Sequence, residues 1–349
     1  MKILRSLLTL FLILSLLLTA VGCGYAPVKS SKEELRTVLT LDGSFDVPYE
    51  LYRFYFLSEL ALTEIDPATL NDGEKASLFA ELHQKTVEEI SAVYAVLKLC
   101  DIYGIDVESR EFDDYVKENV ILAVEGNEDY LGYGDHETYL AEIKAAYMND
   151  SVFRFLLRYS HAEQTLGAYL RDTGVLASGK ENVLSYMNSD DCVRVSWIYI
   201  PYTVLPGYTA DMLSQMEAEA KAATDDGFLA MTHEVIPDSY TDEELDVGFY
   251  IGEYQLDPYY AALTETAFAL ALGETSSWID AGDGKYLVRR LPKDESYLSD
   301  EKNLPDFTEY YLLNSFYRLL SQEAGRLAQT AVYTEVYETL SLDTVRMPE

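Results

Sequence analysis

The hydrophobic pattern of this 349-residue chain changes its period twice. Between residues 48 and 174 the apolar side chains recur at helical spacing, and no stretch alternates as a strand does. From about residue 192 to residue 291, alternating stretches separated by turn residues predict strands, and after residue 307 the helical period returns. This order predicts an α+β fold, mainly α, in which a helical region is interrupted by a smaller α+β unit.

The helical region contains one stretch that is apolar on every side. It begins at Pro48, whose missing N–H is tolerated in the first turn of a helix, and residues 51–57 are almost all apolar. A helix of this kind is normally buried between others. Further helices are predicted at residues 73–103, 110–125, 135–148 and 150–172. Because a single apolar-striped helix is not stable alone in water, the helix predicted at 307–340 is expected to pack on the N-terminal helices.

The α+β unit begins with the stretch "CVRVSWIYIP" at residues 192–201. Its alternation predicts a strand with Trp197 and Tyr199 on one face and Ile198 and Ile200 on the other. The elements expected after it are a helix capped by Thr209, a strand at 246–252, a helix at 258–272 and a hairpin at 276–291.

The first 23 residues have the composition of an export signal. Lys2 and Arg5 precede an apolar run at residues 7–18, and small residues follow it. A membrane-spanning helix is the alternative interpretation, but the run is shorter than the roughly 20 residues that a bilayer core requires. Export is therefore the favoured interpretation, with the signal peptide at residues 1–22.

The end of this segment reads Ala20-Val21-Gly22-Cys23. It resembles the lipobox of bacterial lipoproteins, in which the cysteine is lipidated, although Ala20 stands where that family usually has leucine. The resemblance implies a lipid anchor at Cys23 on the outer face of the cell membrane, followed by a polar tether at residues 23–37. Ordinary secretion is the alternative.

The charge of the chain excludes one class of partner. The net charge is −34, from 26 basic and 60 acidic residues. Such a surface repels phosphate backbones, so no nucleic acid is expected as a partner. The hydrophobic content of 48% argues against a disordered chain.

Neither a metal nor another cofactor is indicated by the remaining polar residues. The four histidines are scattered without the spacing of metal ligands, and no glycine-rich phosphate loop occurs. Acidic pairs such as Asp225-Asp226 lack the ligand order of a calcium loop, which leaves only weak calcium binding open. Cys100 and Cys192 both fall in apolar surroundings, so two buried free thiols are expected, with one disulfide as the alternative.

Three stretches resemble a known family. They are "DGSFDVPYELYRFYFL" (42–57), "ELDVGFYIGEY" (244–254) and "ETAFALALGETSSWI" (265–279). They are similar to exported foldases of the SurA and PrsA type, in which a parvulin prolyl isomerase domain is inserted into a helical chaperone domain. The resemblance implies a SurA-like helical domain at 38–178, a parvulin-like domain at 190–293 and a C-terminal helix at 305–345 that packs on the helical domain.

The same resemblance implies where a parvulin site would lie. Parvulins begin with a strand that ends in a Ser-His-Ile-Leu-like motif, and here that position reads Ser196-Trp197-Ile198-Tyr199. Trp197 therefore stands at the first histidine position and Tyr286 at the second. Asp238 corresponds to the catalytic position. The other peptide-binding positions fall at Tyr254, Leu263 and Phe268.

The replacement of both histidines argues against prolyl isomerase activity. Tryptophan can only donate a hydrogen bond and tyrosine titrates far above neutral pH, so neither reproduces a histidine. We therefore expect a membrane-tethered extracytoplasmic chaperone of unfolded or partly folded exported polypeptides, with an inactive parvulin-like domain. The alternatives are an active peptidyl-prolyl isomerase that relies on Asp238 and an assembly factor dedicated to one partner. A solute-binding lipoprotein is disfavoured because the chain lacks alternating strands and helices. Homodimerisation is left open.

Overall fold

The structure is a computed structural model that describes residues 25–235, 241–254, 260–300 and 302–348. The signal segment, Cys23 and Asp238 lie outside these residues. The chain divides into two units: the first holds the described residues up to Leu170 and from Leu319 onward, and the second is Arg171–Arg318. Helices predominate and two small antiparallel sheets accompany them, so the predicted α+β fold, mainly α, is confirmed.

The helices of the N-terminal region agree closely with the predicted ranges. They are α1 (Tyr49–Leu62), α2 (Asp72–Ile102), α3 (Arg110–Glu125), α4 (His136–Ala145) and α5 (Asp150–Asp172). Every α1 residue from Tyr49 to Glu59 is buried, which confirms that this helix is enclosed on all sides. Helix α2 begins with a capping box, because the side chains of Asn71 and Glu74 each accept a hydrogen bond from the other residue's backbone N–H.

A small sheet belongs to the first unit, and one of its strands corrects the prediction. β1 (Thr37–Leu41) and β2 (Phe45–Pro48) form an antiparallel hairpin, and Asp42 and Gly43 lie in the turn between them. The predicted helix at 307–340 is wrong at its end: α11 (Asn303–Gln329) is followed by β7 (Val332–Tyr333), which pairs with β1. The β-branched and aromatic pair at 332–333 completes the sheet instead of extending the helix. A short helix, α12 (Glu335–Glu338), comes last.

The second unit combines short helices with a four-stranded antiparallel sheet in the order β4-β3-β6-β5. Its strands are β3 (Cys192–Pro201), β4 (Phe249–Gly252), β5 (Ile279–Ala281) and β6 (Gly284–Leu291). Its helices, apart from the start of α11, are α6 (Lys180–Asn188), α7 (Ala210–Ala222), α8 (Asp225–Val235), α9 (Asp242–Val247) and α10 (Ala261–Ala269).

Strand β3 supplies both faces of the core of the second unit, as its alternation predicts. Tyr199 and the half-buried Trp197 face one apolar cluster, which also contains Leu263 from α10. Ile198 faces a second cluster on the other side of the sheet, which contains Phe228 from α8. The sheet therefore separates two apolar layers, and Trp197 lies in the layer that includes α10.

Two predicted elements of the second unit are shorter than expected. The strand predicted at 246–252 begins only at Phe249, because residues 242–247 form α9 and Gly248 ends it with a φ of +71°. A Cβ at Gly248 would lie 2.6 Å from the carbonyl oxygen of Val195, so only glycine fits this change of direction. The helix predicted at 258–272 is observed as Ala261–Ala269.

The two described cysteines are free and buried, which confirms the favoured prediction. Burial raises the pKa of the Cys100 thiol to about 12 and that of the Cys192 thiol to about 12. Both are therefore packing residues in the thiol form at neutral pH. In the described part of the chain, no helix is both long enough and apolar enough to cross a membrane.

Candidate functional site

A pocket of about 710 Å³ lies in the second unit, beside strand β4. This volume falls in the range of pockets that take a small molecule or a few side chains. Most of its described lining residues are aromatic or aliphatic, and they come from β3, β4, β6, α10 and the start of α11. The aromatic lining residues are Trp197, Phe249, Tyr250, Tyr260, Tyr286, Tyr297, Phe307 and Tyr310.

One wall of the pocket is an aromatic group centred on Trp197. Its indole ring stacks on Phe249 with 3.8 Å between ring centroids and an interplanar angle of 3°. The ring of Tyr286 meets Trp197 edge-on at 6.0 Å, and the ring of Tyr260 meets Tyr286 edge-on at 6.3 Å. The two edge-to-face pairs are a favourable arrangement of aromatic rings, and the parallel stack buries one face of each of its two rings. The wall is therefore preorganised before any ligand binds.

The carboxylate of Asp283 fixes one ring of this wall through a hydrogen bond. The hydroxyl of Tyr286 donates a hydrogen bond to one oxygen of Asp283 at 2.8 Å, and the hydroxyl of Tyr199 donates to the other at 2.6 Å. Burial, followed by the bond to Asp283, raises the pKa of Tyr286 far above its ordinary value. Tyr286 is therefore a fixed, protonated donor to Asp283 and does not act as an acid or base at neutral pH.

A second wall comes from the other face of β4 and from the start of α11. Because side chains alternate along a strand, Phe249 faces the Trp197 wall whereas Tyr250 faces the other. The ring of Tyr250 packs on Tyr297 at 5.0 Å and on Phe307 at 5.4 Å. The hydroxyl of Tyr310 accepts a hydrogen bond from the backbone N–H of Gly252, which fixes β4 against α11.

Three of the predicted site residues meet in this pocket. Trp197, Leu263 and Tyr286 all line it. Phe268 packs, partly buried, against the same apolar cluster but is not among the described lining residues. Tyr254 is not among them either, and its backbone N–H donates to the side chain of Asn314 at 3.2 Å. Asp238 lies outside the described residues.

Most residues of the second wall are not among the site residues predicted from the sequence. Tyr297 and the α11 residues Phe307 and Tyr310 all follow the predicted parvulin-like domain, which ends at residue 293. The alternation of "FYIG" at 249–252 could have placed Phe249 on the side of the wall that contains Trp197. Within the predicted helix at 307–340, the spacing of Phe307 and Tyr310 puts these two residues on one face.

The described lining of the pocket offers both aromatic rings and polar groups to a ligand. Among its described lining residues there is no histidine or cysteine, and Lys302 and Asp306 are its only charged side chains. No group of three or more described His, Cys, Asp or Glu side chains could hold a metal ion. The arrangement suits the binding of apolar or ring-shaped side chains by stacking and burial.

Comparisons with known proteins find similarity among solved structures. No protein-family model matches the chain, and no curated protein matches it. The chain is similar to PrsA and SurA-like proteins, the family that its sequence motifs resemble.

Three of these structures give the extent of the similarity. The foldase PrsA of Streptococcus pneumoniae is 16% identical, with 73% of this chain and 88% of that chain covered and a TM-score of 0.27. For PrsA of Bacillus subtilis the identity is 14%, the covered shares are 69% and 82%, and the TM-score is 0.25. For a SurA-like chaperone of Campylobacter jejuni the identity is 13%, the shares are 86% and 99%, and the TM-score is 0.24.

Proposed function

We propose that this protein is an extracytoplasmic chaperone that binds unfolded or partly folded exported polypeptides. In this proposal the second unit binds apolar client segments in its aromatic pocket and does not catalyse prolyl isomerisation. The observation that carries the proposal is the stack of Trp197 on Phe249 beside Tyr286, in a pocket of about 710 Å³. Exposed apolar side chains of an unfolded client would contact rings that are already ordered, which limits the entropy lost on binding.

The side chains found at the two described histidine positions support binding without catalysis. Isomerisation of an X-Pro bond must cross a barrier of about 20 kcal/mol because the amide loses its planarity. At the two positions that the family resemblance assigns to histidine, the chain has Trp197 and Tyr286. The hydroxyl of Tyr286 is committed to Asp283, and the indole N–H of Trp197 can only donate.

The location proposed for this activity is the outer face of the cell membrane. The basic residues, apolar run and small residues before Cys23 support export, and the cysteine itself supports a lipid anchor. The net charge of −34 would also favour clients with basic segments over acidic ones.

Two assays run side by side test the proposal. The processed protein is expected to suppress aggregation of a chemically unfolded client while leaving the rate of isomerisation of a proline peptide, followed by coupled proteolysis, at its uncatalysed value. The Asp238→Ala variant serves as the matched control and is expected to behave identically in both assays. Isomerisation that is lost in Asp238→Ala would establish the alternative of an active isomerase. Failure of both assays would favour an assembly factor dedicated to one partner.

A further inference from the structure

The turn between α3 and α4 presents a leucine to solvent. Leu131 is 96% exposed, more than any other large apolar residue among those described. Tyr130 and Tyr133, its neighbours in the turn, are half-buried, and the ring of Tyr133 packs on Tyr139 at 6.2 Å. An apolar side chain flanked by tyrosines is the composition found where proteins meet the interface of a membrane.

Hydrogen bonds hold this turn in one conformation. The backbone N–H of Asn127 donates to the carbonyl oxygen of Tyr130 at 2.7 Å, and the side chain of Asn127 accepts from the N–H groups of Asp129 and Tyr130. Gly126 has a φ of +73°, and a Cβ there would lie 2.4 Å from the Tyr130 carbonyl oxygen. Leu131 is therefore exposed in a turn whose base is hydrogen-bonded.

Tyr25, the first described residue, contacts both ends of this turn. Its hydroxyl donates to the side chain of Glu125, the last residue of α3, at 3.2 Å. Its ring stacks on His136, the first residue of α4, at 4.9 Å. Its carbonyl oxygen accepts from the guanidinium of Arg154 at 2.9 Å.

A hydrogen bond also attaches Val28 to the first unit. The backbone N–H of Val28 donates to the buried carboxylate of Asp150 at 2.8 Å. This part of the predicted tether is therefore bound to the first unit, and the preceding chain must reach the base of the turn that carries Leu131. Tyr25 follows Cys23 by two residues, which span at most about 7 Å when extended.

We propose that the turn at residues 126–134 docks on the lipid surface, with Leu131 in the interface. The proposal rests on the lipid anchor proposed at Cys23, because that anchor places the membrane within reach of Tyr25. One leucine does not retain a protein at a bilayer, so the anchor supplies the affinity and the turn sets the orientation of the first unit. Exposed Glu128 and Asp129 flank the tip, and they favour neutral lipid over anionic lipid.

A fluorescent probe placed in the turn tests this proposal in the lipidated full chain. An environment-sensitive dye is attached at Glu128→Cys, and the protein is reconstituted in phosphatidylcholine vesicles that contain nitroxide-labelled lipid. Cys100 and Cys192 are buried thiols and do not compete for the dye at neutral pH. The matched control is Ile102→Cys, on a residue that is 59% exposed in the same unit.

The control position lies well away from the turn. Tyr103, next to Ile102, packs on Tyr169 near the end of α5. Arg154, which bonds to Tyr25, is in the first turns of the same helix. Arg154 and Tyr169 are fifteen positions apart, which corresponds to about 22 Å along the helix.

We expect several-fold stronger quenching of the dye at position 128 than at position 102. Quenching at position 128 is expected to be weaker in vesicles rich in phosphatidylglycerol. When Leu131→Glu is added, the difference in quenching between the two positions is expected to disappear. Equal quenching at both positions in protein that is anchored would overturn the docking proposal alone. Recovery of the full chain in the soluble fraction would overturn the anchor and the docking together, while the aggregation assay would still report on the chaperone activity.

Discussion

Trp197→Ala is expected to weaken the binding of an unfolded client by about 2 kcal/mol, or roughly 30-fold. The indole contributes the central ring of the preorganised wall through its stack on Phe249 and its edge contact with Tyr286. Tryptophan residues in partly enclosed positions commonly dominate the energy of an interface. The dissociation constant for a permanently unfolded client, measured by calorimetry, checks this expectation.

The control for this variant is Tyr202→Ala in the same unit. Tyr202 is 43% exposed and is not among the described residues that line the pocket. Its removal is expected to leave the client affinity unchanged. If Trp197→Ala retains the wild-type affinity while its unfolding midpoint shows that it is folded, the pocket is not the client site.

Phe228→Ala is expected to lower the free energy of unfolding of the second unit by about 3–5 kcal/mol. The ring of Phe228 is fully buried in the cluster with Ile198 and Leu287, on the face of the sheet opposite Trp197. The guanidinium of Arg289 also lies over this ring, at 5.8 Å from its centroid. Truncation would leave a cavity and remove this contact.

Denaturant unfolding followed by tryptophan emission measures this loss in the second unit alone. The chain has two tryptophans, Trp197 and Trp278, and both belong to this unit. Val204→Ala, at a residue that is 48% exposed, is the control and is expected to change stability by less than about 0.5 kcal/mol. A loss below about 1 kcal/mol in Phe228→Ala would show that this cluster does not hold the sheet to α8.

The helices and the central strand could be predicted from the sequence because their signals are local. Helix α3 is observed at the predicted bounds because Gly126 follows it directly, with a φ of +73°. The alternation in β3 correctly assigned Trp197 and Ile198 to opposite faces. By contrast, β7 was missed because a two-residue strand has no period of its own and forms only through pairing with β1.

The pocket could be predicted only in part. The family resemblance selected Trp197, Leu263 and Tyr286, which the fold brings together from β3, α10 and β6. The wall formed by Tyr297, Phe307 and other residues depends on how α11 packs against β4, and that packing has no local signature. The hydrogen bonds of Tyr199 and Tyr286 to Asp283 could not be predicted from the sequence either, because they depend on the register of β3 with β6.

The emission of Trp197 during client binding tests the central claim most directly. The Trp278→Phe variant keeps Trp197 as its only tryptophan, and the Trp197→Phe variant keeps only Trp278. Trp278 packs in the apolar layer on the other side of the sheet, where its indole N–H donates to the carbonyl oxygen of Leu213. Both proteins are titrated with the same unfolded client. We predict a saturable change in the emission of Trp197 and none in that of Trp278. An unchanged Trp197 signal in protein that still suppresses aggregation would contradict the claim, because the client would then bind elsewhere.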